Sequence, residues 1–275
     1  MFMKQILKKT VFIDIDKFDE KPGPFCMSYK FDLNLVMLSI QKIGLINKPY
    51  VRQDKSGSVD IITGFRRILA LKALHWDNVP CIEILDSSIS DKELLLLNIY
   101  DNLCTRKLNF VEKGMVLNHL SFFFTRDEIY GTFINLLGIS GKKEADILIR
   151  INEFNDDEKE VVLNESLSIK TIEYLLDADF NSRNEILKWI ISLKFNYNQQ
   201  ALFIEYINDI SIREGTSIKE LLHEEPFTNF MMEDVQNTPQ RAKRFIEFLR
   251  TRRMPVLTKN EKIFNKIIFH PPFFC

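Results

Sequence analysis

The first hundred residues alternate between the hydrophobic spacing of strands and that of helices. Short apolar runs of the kind that form β-strands occur at residues 11–15, 50–52, 59–62 and 79–85. Apolar positions at helical spacing run through residues 33–43, and Gly44 stands where such a helix would stop. A second helix is predicted over residues 65–76, directly after Gly64. The pattern predicts an α+β domain for this part of the chain.

From about residue 90 onward the strand signals stop and helical spacing takes over. Ser90, Asn109 and Ser217 are each followed three residues later by a glutamate, which is the pattern of a capping box at a helix start. Helices are predicted at residues 90–100, 109–123, 127–137, 141–153, 156–163, 169–177, 183–194, 198–213, 217–223, 239–253 and 259–268. The predicted fold is an α+β N-terminal domain followed by an all-α helical body. We expect three domains, at residues 1–110, 111–182 and 183–275.

The composition supplies ample apolar material for a packed core, since 45% of the 275 residues are hydrophobic. No window of about 18 residues is both apolar and uncharged, so neither a membrane span nor a membrane partner is predicted. Four cysteines without a CxxC pair indicate a reduced, cytoplasmic protein with no structural zinc. The formal net charge of -1 argues against a dedicated DNA-coating protein, because phosphate contacts usually require a basic excess, but it allows a local basic surface.

The sequence TGFRR, at residues 63–67, lies between a predicted strand and a predicted helix. Gly64 permits a tight turn and a close approach of the backbone to a ligand. The amides that follow are the unpaired donors of a helix N-terminus, and Arg66 and Arg67 add positive charge, so the turn is suited to binding phosphate. Taken alone, such a pattern is more often two solvated arginines on an amphipathic helix.

The sequence around this turn resembles the ParB N-terminal domain over roughly residues 11–115. The matching blocks, in order, are SIxxxGLIxxPxV at 39–51, IIxGxRRxxA at 61–70, VP at 79–80 and DNLCTxxLNxxE at 101–112. The last block corresponds to the family's ENxQRxxLxxxE box. No single block is specific, but their shared order and gaps are. The resemblance implies a ParB/sulfiredoxin-like fold.

In ParB-like domains the glycine–arginine turn holds the phosphates of a cytidine nucleotide, and the downstream box helps to bind the phosphates and a magnesium ion. By position, the resemblance implies phosphate contacts from Gly64, Arg66, Arg67 and Asn102. It also implies a metal site at Asp101 and Asn102, whose oxygen atoms suit Mg²⁺. CTP and Mg²⁺ are therefore the implied cofactors.

Two cations of the family pattern are missing from this sequence. Thr105 stands at the arginine of the box, and Phe25 stands at the arginine of an early QPR block. Each lost charge-assisted hydrogen bond is worth about 1.5–3 kcal/mol. Arg106, one residue beyond Thr105, is a candidate phosphate ligand in its place. The resemblance therefore favours nucleotide binding over efficient hydrolysis.

Residues 129–154 resemble the helix-turn-helix that follows this box in ParB. Helix 141–153 would be the recognition helix, with Lys142, Lys143 and Arg150 as DNA contacts. The same helix carries acidic residues and crowded apolar residues. A purely structural helix-turn-helix is therefore an equal alternative.

The densest basic segment spans residues 241–253 and holds six basic residues against one acid. Such a segment could contact nucleic-acid phosphates. A solvated helix face is the commoner explanation for this pattern. The candidate DNA contacts in the segment are Arg241, Lys243, Arg244, Arg250, Arg252 and Arg253.

Three functions stay open at this point. The preferred hypothesis is a ParB-like, DNA-associated protein, regulated by CTP, that acts in plasmid or chromosome partition or in transcription control. The second is a ParB-like nuclease or nucleotide phosphohydrolase that uses the same site, although few acids lie near the turn. The third is a degenerate scaffold that binds only protein. The sequence leaves open the DNA target and whether the chain forms a homo-oligomer.

Overall fold

The computed structural model of the chain describes residues 6–54, 57–86, 88–232 and 238–255. The chain divides into two compact units, the first ending at Asn152 and the second beginning at Glu153. The expected division at residues 110 and 182 stays a prediction. The predicted fold class is confirmed, since a sheet with helices occupies the start of the chain and helices occupy the rest.

The first unit is built on a four-stranded mixed sheet. Its strands are β1 (Lys8–Asp14), β2 (Tyr50–Gln53), β3 (Val59–Thr63) and β4 (Asn78–Ile84). Their order across the sheet is β1-β4-β2-β3. β2 runs parallel to β4, whereas β1 pairs with β4, and β2 with β3, in the antiparallel sense. The four predicted strands are thus confirmed, with shifts of a few residues at their ends.

Seven α-helices follow the strands or lie between them in the described part of the first unit. They are α1 (Asn34–Ile43), α2 (Phe65–Ala73), α3 (Asp91–Thr105), α4 (Phe110–Leu120), α5 (Arg126–Glu128), α6 (Ile134–Leu136) and α7 (Lys142–Arg150). A π-helical turn at Ile129–Phe133 joins α5 to α6, so the predicted helix at 127–137 contains a widened turn. α7 is shorter than predicted, because a 3₁₀ turn at Ile151–Glu153 follows it.

Apolar side chains of the sheet, α1 and α2 form the core of the first unit. Phe65, Ile68 and Leu71 recur every third residue and bury one face of α2. Val51 of β2 and Ile61 of β3 belong to the same core. Each side chain of this size contributes about 1.5–3 kcal/mol when it is fully buried. The turn at Gly64 is therefore held by buried residues of β3 before it and of α2 after it.

Helices α4 and α7 approach each other closely at Gly114. A Cβ atom at this position would overlap the backbone carbonyl oxygen of Leu148. Asn152 reinforces the contact, since its Nδ2 donates to the carbonyl oxygen of Gly114 at 3.2 Å. Glycine is required here because the two backbones approach so closely.

The second unit is helical throughout its described residues. Its helices are α8 (Asp156–Asn164), α9 (Ile169–Asp177), α10 (Phe180–Leu193), α11 (Tyr197–Glu214), α12 (Ile218–Leu222), α13 (Glu225–Met232) and α14 (Thr238–Arg253). Trp189 stacks on Phe245 with ring centroids 4.6 Å apart, in an aromatic core that also contains Phe227. The sequence did not predict α13, which has Pro226 in its first turn. The predicted helix at 259–268 lies outside the described residues.

None of the described helices of either unit is long and apolar enough to span a membrane.

Candidate functional site

A cavity of about 570 Å³ opens in the first unit. Its walls come from the loop before α1, from α1, from the β3–α2 turn and from the C-terminal half of α3. All the residues that the sequence predicted as nucleotide or metal ligands line this cavity: Gly64, Arg66, Arg67, Asp101, Asn102 and Arg106. The fold thus brings two distant sequence blocks to one place.

Gly64 shapes the wall where β3 turns into α2. Its φ angle of +90° lies in the left-handed region that favours glycine. A Cβ atom at this position would lie 3.0 Å from the Cα and Cβ atoms of Pro49, so packing also disfavours a side chain. The N–H groups of Phe65 and Arg66 have no preceding helical turn to accept them. Since Gly64, Phe65 and Arg66 line the cavity, the positive end of the α2 dipole lies at its wall.

Arg66 and Arg106 share one buried carboxylate. Nη2 of Arg66 donates to Oε1 of Glu112 at 2.5 Å, and Nη1 of Arg106 donates to Oε2 at 2.6 Å. The side chain of Glu112 is 1% exposed, whereas those of Arg66 and Arg106 are 24% and 16% exposed. The two guanidinium groups therefore lie between the buried carboxylate and the cavity.

The environment of Arg66 disfavours its charge. Burial lowers the pKa of its guanidinium, and the neighbouring charge of Arg106 lowers that pKa further, while Glu112 raises it. Arg66 also lies over the ring of Phe31, with its Cζ atom 4.5 Å from the ring centroid. Because arginine stays protonated at neutral pH, such a side chain keeps a charge that an anion in the cavity would stabilise.

Arg67 is fixed by two acceptors at the other side of the turn. Its Nη1 donates to the carbonyl oxygen of Asn47 at 2.7 Å, and its Nη2 donates to Oδ2 of Asp101 at 3.3 Å. Burial lowers the pKa of Arg67, whereas the charge of Asp101 opposes that effect. Arg67 is therefore a second half-buried cation whose position is set by hydrogen bonds.

A chain of asparagine side chains links the sheet to Arg106. Nδ2 of Asn98, which is buried, donates to the carbonyl oxygen of Ile62 at 2.6 Å. Nδ2 of Asn102 donates to Oδ1 of Asn98 at 2.8 Å. Nε of Arg106 then donates to Oδ1 of Asn102 at 2.9 Å, and its Nη2 donates to the carbonyl oxygen of Met27 at 2.8 Å. Asn102 and Arg106 are thus held in defined orientations.

The expected metal ligands, Asp101 and Asn102, both use an oxygen atom to bind an arginine. Oδ2 of Asp101 accepts from Arg67, and Oδ1 of Asn102 accepts from Arg106. Magnesium prefers carboxylate, amide and phosphate oxygens. These two oxygen atoms could bind the ion only if Arg67 or Arg106 moved to another acceptor. Among the described residues, no three His, Cys, Asp or Glu side chains group as metal ligands. The metal site stays a prediction.

The two positions that lack the family's arginines have other local roles. Oγ1 of Thr105 donates to the carbonyl oxygens of Asp101 and Asn102 at 3.0 and 3.1 Å, at the end of α3. Phe25 is buried, and the Cζ atom of Arg52 lies 5.3 Å from its ring centroid. Neither position supplies a cation to the cavity. Arg106 does supply one, as the sequence suggested.

Sequence reasoning missed the part that Glu112 has in the site, because it took this residue for a helix cap. The cap exists: Asn109 and Glu112 form a capping box at the start of α4. The same pattern occurs at Glu128 and Glu220, which are exposed. The capping pattern alone therefore could not reveal that Glu112 binds two arginines.

Cys26 is another cavity residue that sequence reasoning did not select. Its thiol donates to the carbonyl oxygen of Ile61 at 3.3 Å, and burial raises its pKa to about 12. The thiol is therefore neutral at physiological pH. Cys104, in α3, is exposed.

The structure places the first group of expected DNA contacts on α7. Lys142 and Lys143 are exposed in its first turn, and Arg150 is half-buried in its last turn. Nζ of Lys142 lies 5.3 Å from the ring centroid of Tyr130. The recognition-helix role of α7 stays a prediction.

The second group of expected DNA contacts lies on α14, and its arginines bind groups within the second unit. Arg241 is only 4% exposed, and its Nη2 donates to the carbonyl oxygen of Ser192 at 2.7 Å. An arginine buried in this way is poorly placed to contact DNA, which corrects its expected place on a basic surface. The ion pairs of the other arginines are Arg250–Glu247 at 3.7 Å, Arg252–Glu214 and Arg252–Glu224 at 2.5 and 2.6 Å, and Arg253–Glu205 and Arg253–Asp209 at 2.8 and 2.6 Å.

Lys243 and Arg244 are exposed on the same helix. DNA contact by the exposed and half-buried residues of α14 stays a prediction.

Comparison with known proteins points to one family. The chain is 23% identical over 204 residues to a probable chromosome-partitioning protein ParB from Chlamydia muridarum, covering 70% of each chain. It is 31% identical over 83 residues to a nucleoid occlusion protein from Geobacillus thermodenitrificans, covering 30% of this chain and 28% of that protein. No protein-family model matches the chain.

A crystal structure of C-terminally truncated ParB from Caulobacter crescentus, complexed with CTP-γ-S, aligns with 66% of this chain and 99% of that chain at 20% identity. The TM-score is 0.31, which is too low for this likeness to bear on function. The sequence matches agree with the motif order over residues 39–112, and the chain is similar to ParB and nucleoid occlusion proteins. It spans 70% of the first relative but under a third of the second.

Proposed function

We propose that the chain is a DNA-associated protein of the chromosome-partition type, regulated by CTP bound in the cavity of the first unit. The observation that carries the proposal is the convergence of Arg66, Arg67 and Arg106 with the N-terminus of α2 on one cavity. This is the arrangement that a chain of phosphates requires. The resemblance to ParB, which the sequence matches support, adds the preference for cytidine.

The nucleotide part of the proposal follows from the donors that border the cavity. Nη1 of Arg66 has no acceptor among the described residues, and the first amides of α2 also lack helical acceptors. Arg67 and Arg106 donate to the carbonyl oxygens of Asn47 and Met27, and both arginines still line the cavity. Mg²⁺ would bind with the nucleotide at Asp101 and Asn102, after those residues release their arginines.

The DNA part of the proposal rests on two supports. The relatives matched by sequence are named as a chromosome-partitioning protein and a nucleoid occlusion protein. Lys142 and Lys143 are exposed side by side at the start of α7, where phosphate contacts would add affinity. We place the protein in the cytoplasm, in keeping with the free thiols of Cys26, Cys81 and Cys104.

The direct test is calorimetric titration of the full chain with CTP and Mg²⁺, beside ATP, GTP and UTP. Wild type should bind CTP saturably and more tightly than the other nucleotides. The double variant Arg66→Ala, Arg67→Ala should weaken CTP binding at least about 100-fold, because each charge-assisted bond contributes about 1.5–3 kcal/mol.

Arg126→Ala is the matched control. Arg126 belongs to the same unit, its side chain is 71% exposed, and it does not line the cavity. This variant should bind CTP as wild type does. Absence of CTP binding at millimolar concentration would refute the nucleotide proposal, and equal binding of all four nucleotides would refute its cytidine part.

A further inference from the structure

Glu112 occupies a position that its role as a helix cap does not explain. Each of its carboxylate oxygens accepts two hydrogen bonds. Oε1 accepts from Nη2 of Arg66 at 2.5 Å and from the backbone N–H of Tyr29 at 3.2 Å. Oε2 accepts from Nη1 of Arg106 at 2.6 Å and from the backbone N–H of Asn109 at 3.1 Å. Four N–H donors thus surround a carboxylate whose side chain is only 1% exposed.

The other capping boxes of the chain show what a cap alone requires. Glu128 and Glu220 cap α5 and α12 with the same geometry, and both are exposed. Glu158 caps α8 and is buried, but the structure pairs it with a single arginine, Arg183, at 3.4 Å. Capping therefore does not require the glutamate to be buried or to bind two arginines. Glu112 has both features, and its two arginines line the cavity.

Two adjacent guanidinium groups repel each other, and half-burial removes much of the water that would screen them, so a counter-ion stabilises their pairing. Glu112 supplies that counter-ion from the side away from the cavity, since it does not line the cavity whereas Arg66 and Arg106 do. The three side chains together keep one net positive charge. The two arginines that carry this charge line the cavity.

We propose that Glu112 is a positioning residue that holds Arg66 and Arg106 side by side as a preformed receptor for two neighbouring phosphate groups. The inference rests on the proposed nucleotide function and deepens it. The ligand class is a polyphosphate, either free or as part of a nucleotide. Pre-ordering two long side chains lowers the entropic cost of fixing them when the ligand binds. Loss of Glu112 should therefore weaken polyphosphate binding although it removes a negative charge from the neighbourhood of the anion.

The test compares two variants in calorimetric titrations with magnesium pyrophosphate and with CTP and Mg²⁺. Glu112→Gln keeps the shape and loses the charge, and its amide N–H group would face one of the arginines. Glu112→Asp keeps the charge but is one methylene too short to reach both guanidinium groups. We expect both variants to bind pyrophosphate and CTP about tenfold more weakly than wild type, which corresponds to the ordering cost of two side chains.

Asn109→Ala is the structural control. It removes the side chain whose Oδ1 accepts from the N–H of Glu112 and whose Nδ2 donates to the carbonyl oxygen of Tyr29 at 3.1 Å. The Glu112 carboxylate and the backbone N–H of residue 109 that donates to it are both kept. The loss of this cap should lower the unfolding temperature without weakening pyrophosphate binding. Glu128→Gln, on an exposed capping box of the same unit, should leave binding unchanged.

The outcomes separate the two proposals. If wild type binds and folded Glu112→Gln binds equally well or more tightly, Glu112 does not position the arginines and the inference is overturned. An equal loss in Asn109→Ala would also overturn it, because the start of α4 would then be responsible. If Glu112→Gln does not fold, unchanged binding by Glu112→Asp overturns the inference. If wild type binds neither ligand, the proposed function fails, and the inference fails with it.

Discussion

Arginines serve opposite purposes in the two units of this protein. In the first unit, Arg66, Arg67 and Arg106 come from separate sequence blocks and converge on one cavity. In the second unit, the arginines of α14 are close in sequence, but Arg252 and Arg253 bind acidic residues of neighbouring helices. The first group keeps donors directed to a cavity, whereas the second group stabilises the packing of α14.

The difference shows that local charge density in a sequence does not measure the charge that a ligand can reach. Residues 241–253 are the densest basic segment, yet Arg241 is buried and Arg252 has two carboxylate partners. Acidic residues distant in sequence supply these partners. The cavity arginines are fewer, but all three line one concave surface, and Arg66 and Arg67 lie in the first turn of α2, where an anion also gains from the helix dipole.

The largest predicted difference between the arginines of the two units is in their effect on CTP affinity. Arg106→Ala should weaken CTP binding about tenfold to 100-fold, because it removes one charge-assisted bond from the cavity. Arg252→Ala, which removes an arginine with more acidic partners, should leave the CTP dissociation constant unchanged. Calorimetric titration of both variants measures the contrast. Equal affinities for Arg106→Ala and wild type would show that Arg106 does not replace the family's missing arginine.

A smaller effect concerns the salt dependence of DNA binding. For the double variant Lys142→Ala, Lys143→Ala, the slope of log K against log salt concentration should be shallower by about 1.8, since each lost phosphate contact contributes about 0.9. The double variant Arg252→Ala, Arg253→Ala should keep the wild-type slope. Fluorescence anisotropy on random duplex DNA gives both slopes. The reverse result would make α14 the DNA-contacting helix and would break the comparison.

The smallest effect concerns the acid sensitivity of α14. The hydrogen bond from Arg252 lowers the pKa of Glu214 below its ordinary value of 4.5. Because the folded pKa is below the unfolded one, the pair stabilises the folded state at pH above about 4.5, and this contribution is lost as the pH falls through the folded pKa. Wild type should exceed Glu214→Gln in unfolding free energy at neutral pH, and the difference should shrink in acid. Urea denaturation at several pH values measures it, and a difference that does not change with pH would contradict the assignment.

Much of the first unit could be predicted from sequence because its signals are local. Short apolar runs marked β1 to β4, and Gly64 marked the turn between β3 and α2. The structure brings the residues of the matched motifs together around one cavity, because a family pattern records three-dimensional proximity that composition does not. Their roles as ligands stay predictions. Arg106 was selected by its position next to Thr105, and the structure places it in the cavity.

The remaining features depend on tertiary contacts that leave no local signal. Glu112 looks the same in sequence as the exposed capping glutamates Glu128 and Glu220, and only folding brings Arg66 to it across 46 positions. The burial of Arg241 follows from its contact with Ser192, which is 49 positions away. A periodicity analysis of either segment could not have revealed these partners.

The buried thiol of Cys26 has a consequence for the chemistry of the first unit. A thiolate is the species that reacts with alkylating reagents, and a pKa of about 12 leaves almost none of it at neutral pH. Cys104 is exposed to the solvent and therefore to the reagent. Cys104 should therefore be modified quickly, whereas Cys26 reacts only when the cavity wall opens. The modification rate of Cys26 therefore measures how often the wall of this cavity opens, and Cys104 serves as the internal reference for the reagent.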